Sequence, residues 1–404
     1  FEVVRHMLYI YLFLITFKSL ITYKMCPITA VAYTEHLVIQ PNRGQTYMLI
    51  VLIDTNHSKL QNKNFKIPFV TCTFVEKQLT KLDITKTSRS DGISPTFLIL
   101  AAPISSSLLT QIFNLSIAKS DFLSPFKLAK LIPIHKLGPK ADYSNYRPIS
   151  TLPNISLILE RHVNYWLKRY LETNSRYIKD NQVLETSLIQ TALIKIIDDW
   201  LTAIDKNMVS GSLFLDLSIS FDLVNHKLLI DKLQLYNIDT PWFSATCKIF
   251  PANYFSGAIS DKKAVVSGVP QGCVLGSILF LIYINYLPLS LTRTCAYILA
   301  DDTTLRASHK YVENVVQSLT TDLQSVLSWC NPNCMTLNIS KTKVMYISSK
   351  PVSAENTHIM ISFDNNEIYP STEEKLLGVT ISNTFVEINI LTMFLKPATH
   401  ISIC

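Results

Sequence analysis

Glycine is scarce in this chain, with nine in 404 residues. Soluble proteins average about 7% glycine, so Gly-rich linkers and collagen-like repeats are excluded. Charged residues make up only 17%, too few for a solvated, self-repelling disordered chain. The eight cysteines show no paired spacing, which argues against a disulfide scaffold and suits reduced thiols in the nucleus or cytoplasm. Cys330 and Cys334 are half of a zinc-type spacing, but no second Cys/His pair follows, so they read as ordinary thiols. The apolar stretch at residues 7–17 is broken by Lys18. It is shorter than the about 20 residues a membrane span needs, and no clear cleavage site follows it. Neither secretion nor a membrane partner is expected.

The length allows two or three subdomains with a sizeable core. The formal charge of +7 and pI near 8.8 suit a polyanionic partner, though many enzymes share so mild an excess. More specific are two short apolar segments that end in carboxylates. One is Leu213-Phe214-Leu215-Asp216, running on to Phe221-Asp222. The other is Tyr297-Ile298-Leu299-Ala300-Asp301-Asp302. Buried ionised Asp is costly without a partner, and adjacent Asp repel. A divalent cation relieves both problems, and hard oxygen ligands with substrate phosphates suit Mg²⁺. A lone Asp-Asp pair is more often a turn or a cap; the neighbouring motifs decide against that here.

Those motifs lie in order. Lys130-Leu131-Ile132-Pro133-Ile134-His135-Lys136 precedes Asn145-Tyr146-Arg147-Pro148-Ile149-Ser150. After the Asp216 segment comes Ser267-Gly268-Val269-Pro270-Gln271-Gly272-Cys273-Val274-Leu275-Gly276, and then Asp301-Asp302. Leu337-Asn338-Ile339-Ser340-Lys341-Thr342-Lys343 and Lys375-Leu376-Leu377-Gly378-Val379 follow. With these motifs the chain resembles the reverse transcriptase domain of a non-LTR (LINE-type, jockey-like) retrotransposon, over about residues 70 to 385. Residues 145–150 and the Phe221-Asp222 pair favour the non-LTR branch over retroviral or intron-encoded relatives, and residues 145–150 also disfavour an intron maturase or telomerase.

The resemblance implies an RNA-directed DNA polymerase that transfers nucleotides to a primer 3′-hydroxyl by a two-metal mechanism with Mg²⁺ or Mn²⁺. Its partners would be an RNA template, a DNA primer and deoxynucleoside triphosphates, with no obligate protein partner. Asp216 and Asp301 would be the main metal ligands and Asp302 a supporting one. Lys136 and Arg147 would contact the triphosphate, Arg147 bidentately. Phe221 would exclude a 2′-hydroxyl by bulk, unless it is an ordinary core ring. Gln271 would pack beside the nucleotide, Gly268 and Gly272 would let backbone approach the template, and Asp222 would act as a structural acceptor. Lys341 would protonate pyrophosphate, with a plain surface lysine as the alternative.

Hydrophobic periodicity and turn residues outline an α+β fold. Strands are expected over 127–136 and 146–151, then helices over 155–171 and 188–204. The Asp216 strand, a helix over 226–235 and a buried apolar helix over 275–287 come next. A hairpin over 299–305, a helix over 311–329 and strands over 335–348 and 376–381 complete the pattern. In the family's terms, residues 1–65 are a poorly defined leader and 66–208 are fingers with the helices leading into them. Residues 209–350 are the palm, and 351–404 end the palm with a truncated or absent thumb; no endonuclease is expected. Departures from the family pattern include Ile219-Ser220, Cys273, Ser277, Tyr286, Leu299 and the missing Gly-Phe-Arg after Gln182. They leave open a catalytically decayed relic that at most binds nucleic acid.

Overall fold

Side-chain caps start the first two helices. The Thr71 hydroxyl accepts from the Phe74 N–H at 3.3 Å at the head of α1 (Cys72–Thr80), satisfying a donor that the helix leaves orphaned. Ser94 does the same for α2 (Pro95–Lys119), accepting from the Phe97 N–H at 3.2 Å with Pro95 in the first turn. The fold is described by a computed structural model over residues 64–135, 138–142, 145–174, 186–217, 220–247, 250–255, 258–259, 266–299, 302–349, 359–363, 366–376 and 379–383. By length and composition alone α2 could cross a membrane, although Pro103 and four serines interrupt its apolar run. It buries Leu98, Ala102, Leu109 and Phe113 and exposes Phe97, Leu100, Ile104 and Leu108.

The chain continues through β1 (Leu128–His135), β2 (Tyr146–Thr151), α3 (Asn154–Thr173), α4 (Thr186–Asp205), β3 (Val209–Asp216), α5 (Ser220–Leu223), α6 (His226–Leu235) and α7 (Pro241–Cys247). Then come β4 (Phe250–Phe255), β5 (Ala258–Ile259), α8 (Gly276–Ile284), β6 (Cys295–Leu299), β7 (Asp302–His309), α9 (Val312–Cys330) and β8 (Lys343–Ile347). Two hairpins follow, β9 (Ile361–Phe363) with β10 (Asn366–Ile368), and β11 (Glu373–Leu376) with β12 (Val379–Ser382).

Two sheets organise these elements. The first has order β2-β1-β4-β5, with β1 antiparallel to β2 and parallel to β4. The second has order β6-β7-β3-β8 and is antiparallel throughout. β3 is its spine, and because side chains alternate along a strand, β3 feeds two cores. Leu213 and Leu215 enter the main core with Val315, Leu319 and Leu323 of α9 and Ile278 and Ile282 of α8. Phe214 faces the other way, toward Trp200, Met345 and Ile347, where Trp200 Nε1 donates to Ser212 Oγ at 2.8 Å. The Tyr297 hydroxyl donates to the Asp199 carboxylate, and Arg306 stands 3.9 Å from the same group, so α4 is tied to both β6 and β7.

A buried carboxylate shapes the approach to β6. Asp322 of α9 accepts from the backbone N–H groups of Thr292, Arg293 and Thr294 and from both threonine hydroxyls. Burial would raise its pKa, but these donors outweigh it and hold the carboxyl below its usual range.

Most expected elements are present, with two corrections. The strand expected over 335–348 is confined to Lys343–Ile347. Before it, the Asn338 carbonyl accepts from the N–H groups of Lys341 and Thr342 and turns the chain. The strand expected over 376–381 is instead the β11–β12 hairpin. Cys72, Cys247, Cys273, Cys295, Cys330 and Cys334 are free thiols.

Gly211 of β3 lies under α9, where an added Cβ would fall 2.4 Å from Val315 Cγ1 and 2.9 Å from Leu319 Cδ1. Gly211→Ala should therefore destabilise the protein by about 1–3 kcal/mol, the usual scale of core overpacking. Urea unfolding would show a lower midpoint; an unchanged midpoint would contradict this close helix–strand approach.

Candidate active site

The register of β3 on β7 creates the site. Eight residues pair in sequence, from Val209 with His309 to Asp216 with Asp302 at the far end. Directly opposed residues share a face with Cβ atoms about 5 Å apart, so Asp216 and Asp302 form a like-charged pair at the sheet end. Asp216 is half-buried and Asp302 exposed. Asp301, expected as the second main ligand, lies outside the described residues, as does Lys136. Among the described residues no group of three His, Cys, Asp or Glu gathers as a metal site. The donor set of the pair is nonetheless chemically suited to Mg²⁺ or Mn²⁺, being hard oxygen throughout.

The turn that carries Lys341 docks beside this strand end. The Asn338 N–H donates to the Asp216 carbonyl at 2.8 Å, and Leu217 bridges to Leu337. Within the turn, Ser340 Oγ donates to Asn338 Oδ1 at 2.7 Å, and Lys341 itself is exposed.

The chain beyond Asp216 meets the loop at residues 267–276. The Val269 N–H donates to the Phe221 carbonyl at 2.8 Å and the Gly268 N–H to the Val224 carbonyl at 2.7 Å. Asp222 Oδ1 accepts from Gln271 Nε2 at 3.4 Å, the acceptor role expected of it. The Phe221 ring stacks on Phe280 of α8, with centroids 4.4 Å apart, so it is packed against the core on one side.

On its other side the loop touches the first sheet. The Ser150 N–H of β2 donates to the Gln271 carbonyl at 2.7 Å. Arg147 lies three residues earlier on the same strand, roughly 10 Å away along it, and is exposed. Gly268 and Gly272 do allow a close approach, but its partner is the protein's own backbone. Gly268 has φ +89°, and a Cβ there would sit 2.8 Å from the Asp222 carbonyl oxygen. Gly272 has φ +102°, and a Cβ there would sit 2.5 Å from the Ser150 carbonyl oxygen.

Two residues of this neighbourhood were missed in the sequence. His226 Nε2 bonds the Gly268 carbonyl oxygen at 2.7 Å. Glu160 of α3 is buried, and its Oε2 accepts from the N–H groups of Val274 and Leu275 at 2.7 and 3.3 Å. The available signal was a lone acidic residue on the apolar stripe of a helix, with Val163 and Leu167 following at helical spacing. Burial pushes the Glu160 carboxyl up to about 7, although the two N–H groups, Ser156 and Arg161 pull the other way. A cavity of about 30 Å³ borders Glu160, Val269, Cys273 and Leu279, large enough for one water.

Comparison with known proteins adds a further finding. The profile of the family described as Reverse transcriptase (RNA-dependent DNA polymerase) matches residues 138–381. The chain is similar to the probable RNA-directed DNA polymerase from transposon X-element of Drosophila melanogaster, 31% identical over 45% of this chain and 20% of that protein. The corresponding protein from transposon BS of the same organism is 25% identical over 68% of this chain and 31% of its own length. The RNA-directed DNA polymerase from mobile element jockey of Drosophila funebris is 28% identical over 60% of this chain and 28% of its own length. The chain thus spans between 20% and 31% of these relatives.

The raised pKa of Glu160 has a consequence for stability. The folded state holds this proton between the unfolded value of 4.5 and about 7, so stability should fall as pH rises through that window and level off above it. The loss is on the order of 3 kcal/mol at most. Glu160→Gln keeps an acceptor oxygen without the charge and should lack this slope. Urea midpoints at pH 5 and pH 8 check this: the parent should weaken relative to the variant at the higher pH. A constant difference between them would show that the carboxylate is buried without cost.

Proposed function

This chain belongs to the reverse transcriptase (RNA-dependent DNA polymerase) family, and we propose that it forms the fingers and palm of an RNA-directed DNA polymerase from a jockey-like non-LTR retrotransposon. The first sheet would be fingers and the second palm. The observation that carries the reading is the pairing of Asp216 with Asp302 at the ends of adjacent strands, inside the region that matches the family.

Asp216, Asp301 and Asp302 would hold Mg²⁺ or Mn²⁺. The chemistry that such a metal pair supplies is activation of the primer 3′-hydroxyl and neutralisation of charge on the triphosphate. The remaining roles fall to this chain's own side chains. Arg147, exposed on β2, and Lys136 would receive the triphosphate, the guanidinium bidentately. Gln271, held against Asp222, would pack beside the sugar and base of the incoming nucleotide. Phe221 would exclude a 2′-hydroxyl by bulk, its ring backed by Phe280. Lys341, in the turn bonded to the Asp216 carbonyl, would donate a proton to the leaving pyrophosphate. An RNA template and DNA primer would bind along the same face.

One observation favours a second reading, a decayed copy that binds nucleic acid at most. Ile219, Ser220, Cys273, Ser277, Tyr286 and Leu299 all replace the residues usual at those places in the resembled family. We therefore expect weak activity or none from this copy.

The test is primer extension on an RNA template with Mg²⁺ or Mn²⁺. Any extension should be abolished in Asp301→Asn, which keeps shape but removes charge and should cost several kcal/mol of transition-state stabilisation. Phe221→Ala should keep much of the rate and admit ribonucleotides. Equal extension by Asp301→Asn would sink the metal assignment. A folded parent that extends nothing would favour the decayed copy.

A further inference from the structure

A buried ionisable group beside the site, Glu160, has no task among these roles. α8 begins with no side-chain cap of its own, since Leu275 occupies the capping position. The first N–H groups of a helix need acceptors, and here the acceptor comes from a different helix. Glu160 Oε2 takes the N–H groups of both Val274 and Leu275, and Oε1 stands 3.5 Å from Ser156 Oγ. Glu160 thus closes the downstream end of the 267–276 loop.

The loop is gripped from two directions. From the carboxylate side, the Phe221 and Val224 carbonyls accept from Val269 and Gly268. From the opposite side, the continuous segment β2–α3 grips it twice, through the Ser150 N–H on the Gln271 carbonyl and through Glu160 on Val274 and Leu275. The Ser150 grip is backbone to backbone and survives any substitution at Ser150 except proline. The Glu160 grip is a side chain, three residues along the chain from Gln271. Without it the half-buried Val274 and buried Leu275 N–H groups would lose their acceptor, and the loop would have to move to satisfy them.

We propose that Glu160 is a positioning residue for nucleotide binding, its carboxyl oxygen holding the 267–276 loop so that Gln271 stays between Asp222 and Ser150. This rests on the polymerase reading of the site. Glu160 does not touch substrate; it acts through Val274 and Leu275. The ligand affected is the incoming deoxynucleoside triphosphate. The chemical step at Asp216 should feel the loss less, because β3 and β7 are held by their own register.

Glu160→Ala and Glu160→Gln separate this role from simple packing. On a poly(rA)·oligo(dT) primer–template, Glu160→Ala should raise the KM for dTTP by about ten-fold or more, the scale of losing two hydrogen bonds to one buried acceptor. Its kcat should change far less, and Glu160→Gln, which restores an acceptor oxygen, should behave like the parent. Amide exchange read by mass spectrometry should show faster exchange in Glu160→Ala over 267–276 and unchanged protection over β3 and β7. Glu160→Asp, whose oxygen falls short of the loop, carries the same test should Glu160→Ala not fold. A KM and exchange pattern equal to the parent's would overturn the proposal, as would a fall in kcat with KM unchanged. A parent that extends no primer counts against the polymerase reading alone. The exchange arm then decides the clamp: protection lost over 267–276 and restored in Glu160→Gln upholds it, and unchanged protection overturns it.

Discussion

The pairing of β3 with β7 is the constraint on which the rest of the structure depends. It sets two carboxylates directly opposite each other, an arrangement that costs free energy in the absence of a counter-ion. A slip of one residue would turn every side chain of β3 to the wrong face. Leu213 and Leu215 would leave the α8–α9 core, and Phe214 would leave the Trp200 core. Burial on both faces thus fixes the register that sets Asp216 opposite Asp302.

Around that pair the structure is knitted by backbone more than by side chains. The 267–276 loop bonds Phe221 and Val224 on one side and Ser150 on the other, which joins the two sheets through a single short segment. Such close approach needs residues without Cβ atoms. Four glycines have positive φ among the described residues, and two of them, Gly268 and Gly272, lie in this loop. In a chain with so few glycines, their concentration here matches the physical demand. Asp322 and Glu160 act as distant braces, each a buried carboxyl that collects backbone N–H groups from a neighbouring segment.

Much of this was legible in the residues. The helix at 226–235, the buried apolar helix near 276–284 and the amphipathic helix at 312–330 follow from periodicity, because each has one dominant environment. The motif resemblance set Asp216 and Asp301 across adjacent strands with Asp302 in support, whereas the register opposes Asp216 to Asp302 and Asp301 lies outside the described residues. The 335–342 turn was misread as strand because Met335, Leu337 and Ile339 alternate like a strand, while Asn338 turns the backbone. Glu160 and His226 were missed for a deeper reason: their partners are backbone groups more than 40 residues away, and no local pattern encodes such a contact.

A direct probe of the carboxylate pair is Mn²⁺ binding, followed by electron paramagnetic resonance on the purified chain without nucleic acid. This readout does not depend on whether the copy still polymerises. If Asp216 and its opposed neighbour form a metal-holding pair, the parent should bind Mn²⁺ and Asp216→Asn should lose that binding while keeping its unfolding cooperativity. Undiminished Mn²⁺ binding by a folded Asp216→Asn variant would contradict the assignment of β3 and β7 as the strands that build the active site.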